Sequence, residues 1–255
     1  MQALNIKNIS MHFGGLKAVD QLSFSIQSGG LFGLIGPNGA GKTTVFNMIT
    51  GVYKPTMGQI EFCGKDITGM KSYEIAQMGM TRTFQNIRLF KELTVLENIL
   101  IAGHKDIKYS MLGALFKTEK YFEQEKALLE KAKHILSYFK LDHKLNEEAG
   151  SLPYGEQRKL EIVRALATNP KLICLDEPAA GMNDAETHQL MQTIDLIRKD
   201  FNLTVLLIEH DMKLVMGICE NIIVLDHGIK IDEGNAARIK NSKSVIEAYL
   251  GVDMD

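Results

Sequence analysis

Gly36-Pro37-Asn38-Gly39-Ala40-Gly41-Lys42-Thr43-Thr44 decides how this chain reads. It fits G-x-x-x-x-G-K-[ST], a loop built to hold phosphate. The run before it, Leu31-Phe32-Gly33-Leu34-Ile35, is short, apolar and strand-like. The run after it, 45–50, has Val45, Met48 and Ile49 at helical spacing and stops at Gly51. Strand, glycine loop and helix is the setting this motif requires. Glycines let successive N–H groups wrap an anion with no Cβ in the way. The helix N-terminus adds positive partial charge at the same point. Lys42 is expected to reach the outer phosphates and Thr43 to offer its hydroxyl to Mg²⁺. The alternative, a glycine turn that binds nothing, leaves the agreement of loop and flanks unexplained.

A chain of 255 residues with 45% apolar residues can bury a sizeable core, as one large domain or two small ones. Net charge is −2, with acids and bases intermixed, which argues against nucleic acid as a partner. Cys63, Cys174 and Cys219 lie far apart without metal-ligand spacing and read as reduced thiols of a cytoplasmic protein. The first ten residues carry no signal pattern. No apolar run approaches the roughly 18–20 residues that span a bilayer. Any link to a membrane is therefore expected to run through a partner.

Working outward, 4–9 and 22–26 alternate apolar and polar like half-exposed strands of a small antiparallel sheet. Phe13, just before Gly14-Gly15, either stacks on a flat base or fills a turn. Residues 58–62 read as another strand, a helix is expected from Ser72, and Gln85 falls on a loop. From about 93 the character turns helical. Thr94 can cap one helix, and 121–139 reads as a long amphipathic helix with a stripe of Phe122, Leu129, Ala132, Leu136 and Phe139. Residues 112–116 form an apolar island, a packing plug or a partner contact. Residues 90–160 are assigned to an inserted helical subdomain, and 1–89 with 161–255 to the core.

Ser151-Leu152-Pro153-Tyr154-Gly155-Glu156-Gln157 opens a second helix, with Leu160, Val163 and Ala167 on one face. An anion site and an ordinary Pro/Gly helix entry both fit. Leu172-Ile173-Cys174-Leu175-Asp176-Glu177-Pro178 is an apolar strand ending in two carboxylates. After a phosphate loop, Asp176 would help hold Mg²⁺ and its water shell, and Glu177 would polarise an attacking water. Residues 203–208 form the next strand, running into Glu209-His210-Asp211. His210 is either structural or a hydrogen-bond donor to the γ-phosphate. A hairpin is expected at His227-Gly228, and a short helix at 245–250.

The order aromatic, phosphate loop, glutamine loop, helical insert, glycine–helix motif, Leu-Asp-Glu-Pro, histidine after a strand resembles the ABC transporter ATPase family over nearly the whole chain. The resemblance implies an α/β P-loop NTPase (RecA-like) fold: a mostly parallel sheet, an N-terminal antiparallel subdomain and an inserted helical subdomain. It implies ATP and Mg²⁺ as cofactors. It makes Phe13 the adenine-stacking aromatic, with Val19 also beside the nucleotide. Gly36, Pro37, Asn38, Gly39, Ala40, Gly41, Lys42, Thr43 and Thr44 become Walker A. Gln85 becomes the glutamine of the Q-loop, near metal and water. Tyr154, Gly155 and Glu156 belong to a signature motif spanning 152–156. Asp176 ends Walker B, Glu177 is the catalytic base, 180–183 the D-loop and His210 the switch histidine.

Within the family, Phe13-Gly14-Gly15-Leu16-Lys17-Ala18-Val19, Arg82-Thr83-Phe84-Gln85-Asn86, Pro178-Ala179-Ala180-Gly181-Met182-Asn183 and Ala248-Tyr249-Leu250-Gly251 resemble the longer ATPase subunit of branched-chain amino-acid importers. That implies permease subunits, a second ATPase subunit (heterodimer, with a homodimer left open), an indirectly linked solute-binding protein, no nucleic acid, and a peripheral place on the cytoplasmic face of the cell membrane. The alternatives are the ATPase of a lipid or lipopolysaccharide exporter, a soluble ABC-type ATPase, and a P-loop kinase. The last leaves the signature-like loop and His210 unexplained. Two departures stand out. Pro153 replaces the signature serine, with neither hydroxyl nor N–H to offer, and Asn183 replaces the usual aspartate.

Overall fold

The computed structural model describes residues 1–106 and 114–250. Leu112 and the acidic tail 251–255 lie outside them. Two compact units emerge. The first comprises Met1–Arg82, Lys171–Pro178 and the chain from Ile194 onward; the second comprises Thr83–Pro170 and Ala179–Thr193.

The first unit holds both sheets. Its elements begin with β1 (Gln2–Phe13), β2 (Leu16–Gln27), β3 (Leu31–Ile35), α1 (Lys42–Ile49), β4 (Met57–Phe62), β5 (Lys65–Asp66), α2 (Ser72–Gln77) and β6 (Met80–Arg82). The order β2-β1-β4-β5 makes an antiparallel sheet. Leu4 and Ile6 point inward at the expected period of two, and then Ile9 does. Strict alternation over 4–9 fails here for a local reason: the register slips between Ile6 and Ile9, and Asn8 takes a positive φ of 48°. A bulge of this kind resets which face a strand buries.

The second sheet also uses β7 (Leu172–Asp176), β8 (Thr204–Ile208), β9 (Asn221–Asp226) and β10 (Ile229–Gly234), in the order β10-β9-β3-β8-β7-β6. All pairs are parallel except β9 with β10, the hairpin expected at His227-Gly228. Every residue of β3, β7 and β8 is buried, which is why these strands read as unbroken apolar runs. One apolar cluster draws Leu4, Phe24, Phe46, Phe62, Leu206 and Ile223 from both sheets and α1.

Register decides what meets at the strand ends. Leu34 lies opposite Ile208, and Ile208 opposite Asp176. The chain therefore leaves β3 for the glycine loop, β7 for Glu177 and β8 for His210 along one edge, the carboxyl edge where ligands of parallel sheets sit.

The second unit packs α3 (Val95–Gly103), α4 (Glu119–Tyr138) and α5 (Tyr154–Ala167) against one another. Thr94 caps α3 as expected, in a reciprocal box with Glu97. The stripe of α4 departs from expectation. Leu128, Ala132, Ile135 and Leu136 are buried, while Phe122 is exposed and Leu129 only half-buried. The cause lies on α3: a Cβ on Gly103 would collide with Leu128, so the missing side chain admits Leu128 and sets the face. The remaining helices are α6 (Asp184–Asp200), within which the two units divide, α7 (Met212–Ile218), α8 (Ala236–Lys240) and α9 (Lys243–Leu250).

Candidate functional site

The glycine loop leaves β3 at Gly36, where φ is +154° and a Cβ would strike the Leu225 carbonyl. At Gly41 φ is +97°, and a Cβ would sit 2.6 Å from the Ala18 carbonyl oxygen. Only glycine lets the loop pass at these two points, and α1 then starts at Lys42. The loop is tied from behind by Gly228 N–H to Ala40 O at 3.1 Å. From α9, the Tyr249 hydroxyl accepts the Gly36 N–H, and burial pushes that phenol up to about 12.

Lys42 is buried, and its Nζ donates to the carbonyls of Gly36 at 2.7 Å and Pro37 at 2.9 Å. Burial pushes its ammonium below the ordinary lysine value, while the carboxylates of Glu177 and Asp176 pull it back up. A desolvated ammonium is a ready partner for phosphate oxygens, and the two carboxylates beside it call for a further cation once a polyanion arrives.

Asp176 ends β7, buried, with Oδ2 accepting from Arg82 Nη2 at 2.7 Å. Glu177 follows in the left-handed region (φ +46°), its N–H donating to Ile208 O at 2.9 Å. His210 is largely exposed, and its Nδ1 lies between Glu177 Oε1 at 3.9 Å and Glu209 Oε2 at 3.7 Å. Thr43 is exposed on the first turn of α1. The first unit thus brings Lys42, Asp176, Glu177 and His210 to one edge of one sheet. Phe13 ends β1 partly exposed, edge-on to Tyr53 at 5.5 Å. Val19 is fully buried in the core cluster, with its Cγ2 beneath Gly41.

In the second unit Gln85 lies on a loop held from α5. Arg158, fully buried, donates to Phe84 O at 2.6 Å and Gln85 O at 2.7 Å. It also pairs with Glu161 at 3.1 Å, and the other Glu161 oxygen accepts the Arg88 N–H at 3.2 Å. A buried ion pair thus grips five residues of loop. Arg158→Met strands Glu161 and two carbonyls, and should cost about 3–5 kcal/mol of stability. Adding Glu161→Met should restore much of it, read as the urea midpoint; equal midpoints for the single and double variants would refute the clamp.

Tyr154 is half-exposed at the start of α5, and a Cβ on Gly181 would lie 2.9 Å from its ring, so the two loops touch. Glu156 is paired with Lys144 at 2.7 Å. Pro153 precedes the helix with no side-chain cap, and Asn183 caps α6 by accepting the Glu186 N–H at 3.0 Å. Arg82 and Arg158 carry contacts that their sequence positions do not announce.

A family model described as ABC transporter matches residues 19–180. The chain belongs to the ABC transporter family. It is 46% identical to the high-affinity branched-chain amino acid transport ATP-binding protein BraF of Pseudomonas aeruginosa, over 97% of each chain. To LivG of Escherichia coli, a protein of the same description, it is 45% identical over 97% of each. Its fold matches MJ1267, an ATP-binding cassette of an ABC transporter solved in its ADP conformation, with a TM-score of 0.85 and 37% identity over 99% of this chain and 100% of that one. The expected α/β fold with an antiparallel N-terminal sheet is borne out. This ABC cassette belongs with nucleotide-binding ATPase subunits of transporters. No helix among its described residues is long and apolar enough to cross a membrane.

Proposed function

We propose that this cassette hydrolyses ATP on the cytoplasmic face of the cell membrane to drive branched-chain amino-acid uptake through permease subunits. The observation that carries the chemistry is the convergence of Lys42, Asp176, Glu177 and His210 at one sheet edge beside a glycine cradle. The relatives named above supply the substrate class.

The residues suit Mg²⁺. Thr43 and Asp176 are hard oxygen donors, and no group of three or more His, Cys, Asp or Glu that could cage a metal occurs among the described residues. One carboxylate, one hydroxyl and substrate phosphates are what Mg²⁺ takes. When bound, it would neutralise charge on the phosphates.

The chain's own residues do the rest. Loop N–H groups and Lys42 orient the triphosphate and absorb charge on the γ-phosphoryl group. Glu177 takes the proton of the water as its oxygen bonds to γ-phosphorus, and the bond to the ADP oxygen breaks. His210 would hydrogen-bond an oxygen of the γ-phosphate. Motif order assigns Phe13 to the adenine, Gln85 to metal and water, and Tyr154 with Gly155 to the ATP of a second ATPase subunit. Pro153 argues that this second subunit is a different chain bearing the missing serine.

The test is transport. Co-expressed with its candidate permeases and second ATPase in vesicles holding ATP inside, the chain should support leucine uptake that stops without it. Assembly with membrane subunits but lipid-dependent ATPase and no uptake would favour the exporter reading.

A further inference from the structure

Arg82 ends β6 opposite Cys174, two residues before Asp176 on the same face of β7. Its guanidinium is almost fully buried, with the side chain 7% exposed and that of Asp176 5%. One arm of the fork, Nη2, meets Asp176 Oδ2 at 2.7 Å. The other, Nη1, meets Asn47 Oδ1 at 2.6 Å and reaches Thr50 Oγ1 at 3.5 Å, both on α1. The same group lies 5.5 Å from the Phe46 ring centre. Three elements that build the site, α1, β6 and β7, therefore share one planar cation.

Burying a charged pair is a poor way to gain stability, so the arrangement asks for another reason. A carboxylate at a strand end turns about two side-chain bonds. A planar fork anchored on α1 selects one orientation, because it offers N–H groups in fixed directions.

We propose that Arg82 is a positioning residue for Asp176. By bridging Oδ2 to Asn47 it fixes the carboxylate that would serve the metal of the nucleotide. The inference rests on the assignment of Asp176 to Mg²⁺ above. It predicts that geometry, not charge alone, is what Arg82 supplies.

The experiment is calorimetric binding of a non-hydrolysable ATP analogue to the full chain, with Mg²⁺ and with EDTA. The quantity read is the gain in affinity that Mg²⁺ confers. Groups that orient a metal ligand typically change metal affinity by about 10–100-fold. Arg82→Ala and Arg82→Lys should both reduce the gain by about tenfold or more, with EDTA affinity near wild type. Asn47→Ala, which removes one anchor, should reduce it less, and it carries the test if the Arg82 variants misfold. Full rescue by Arg82→Lys would overturn positioning in favour of charge. A larger Mg²⁺ gain would make Arg82 a competitor of the metal and overturn the proposal too, as would equal losses with and without Mg²⁺. Asp176→Asn is the control: if it keeps the wild-type gain, the metal assignment itself fails. If it loses the gain while Arg82 and Asn47 variants keep it, only the present inference fails.

Discussion

Replacing Glu177 with Gln lowers ATP turnover by about 10²–10⁴-fold and leaves ATP bound. The side chain keeps its shape and its hydrogen-bonding reach, but it can no longer take a proton. Among the described residues no other carboxylate at this sheet edge is placed to stand in. Asp176 is engaged by Arg82 and Glu209 is buried behind His210. The effect should also be lopsided in a mixed pair. If the second ATPase carries serine where this chain has Pro153, the site built on Lys42 and Glu177 of this chain is complete, and the opposite site lacks a hydroxyl donor to the transition state. Glu177→Gln in this chain then removes most activity, and the matching change in the second chain costs less. Steady-state phosphate release from the assembled complex reads both arms. Near-normal turnover in the variant removes Glu177 from its role. Equal losses from either chain, or full activity from this chain alone, remove the asymmetry.

Lys42→Ala weakens ATP binding by about tenfold to a hundredfold, the worth of one charge-assisted contact of about 1.5–3 kcal/mol. The ammonium is already stripped of water and held at the loop by two of its own carbonyls. Turning from those carbonyls to phosphate oxygens thus carries little further desolvation, and most of the attraction survives as affinity. Calorimetry of ATP binding checks it. Unchanged affinity would mean that the loop N–H groups alone hold the phosphates.

The loop at 36–44, the carboxylates after β7 and the histidine after β8 were legible because each has a local signature and a strand beside it. Buried parallel strands announce themselves as apolar runs, so the sheet was readable too. Other features depend on contacts between distant residues. The stripe of α4 turns on the absence of a side chain at Gly103, and β1 changes face at the Asn8 bulge. Both are invisible to a fixed period. Arg82 belongs to a stretch, 82–86, that carries family resemblance but no local signature of a role for the arginine. Its partners are 35 and 94 residues away in the chain, and nothing near it in sequence hints at either. Glu156 and Asn183, read as motif positions, turn out to hold Lys144 and to cap α6.

Glu177 carries a final consequence through its left-handed backbone. For a residue with a side chain that conformation costs about 1–2 kcal/mol, and glycine avoids it. What the main chain favours at 177 is not what the chemistry requires. Selection for heat resistance and selection for turnover pull opposite ways at this one codon. A library screened only for thermal survival would enrich glycine there, as hardier and inert clones. Among natural descendants, the same replacement would mark a copy in which an ATP site has been retired from hydrolysis and kept for its shape.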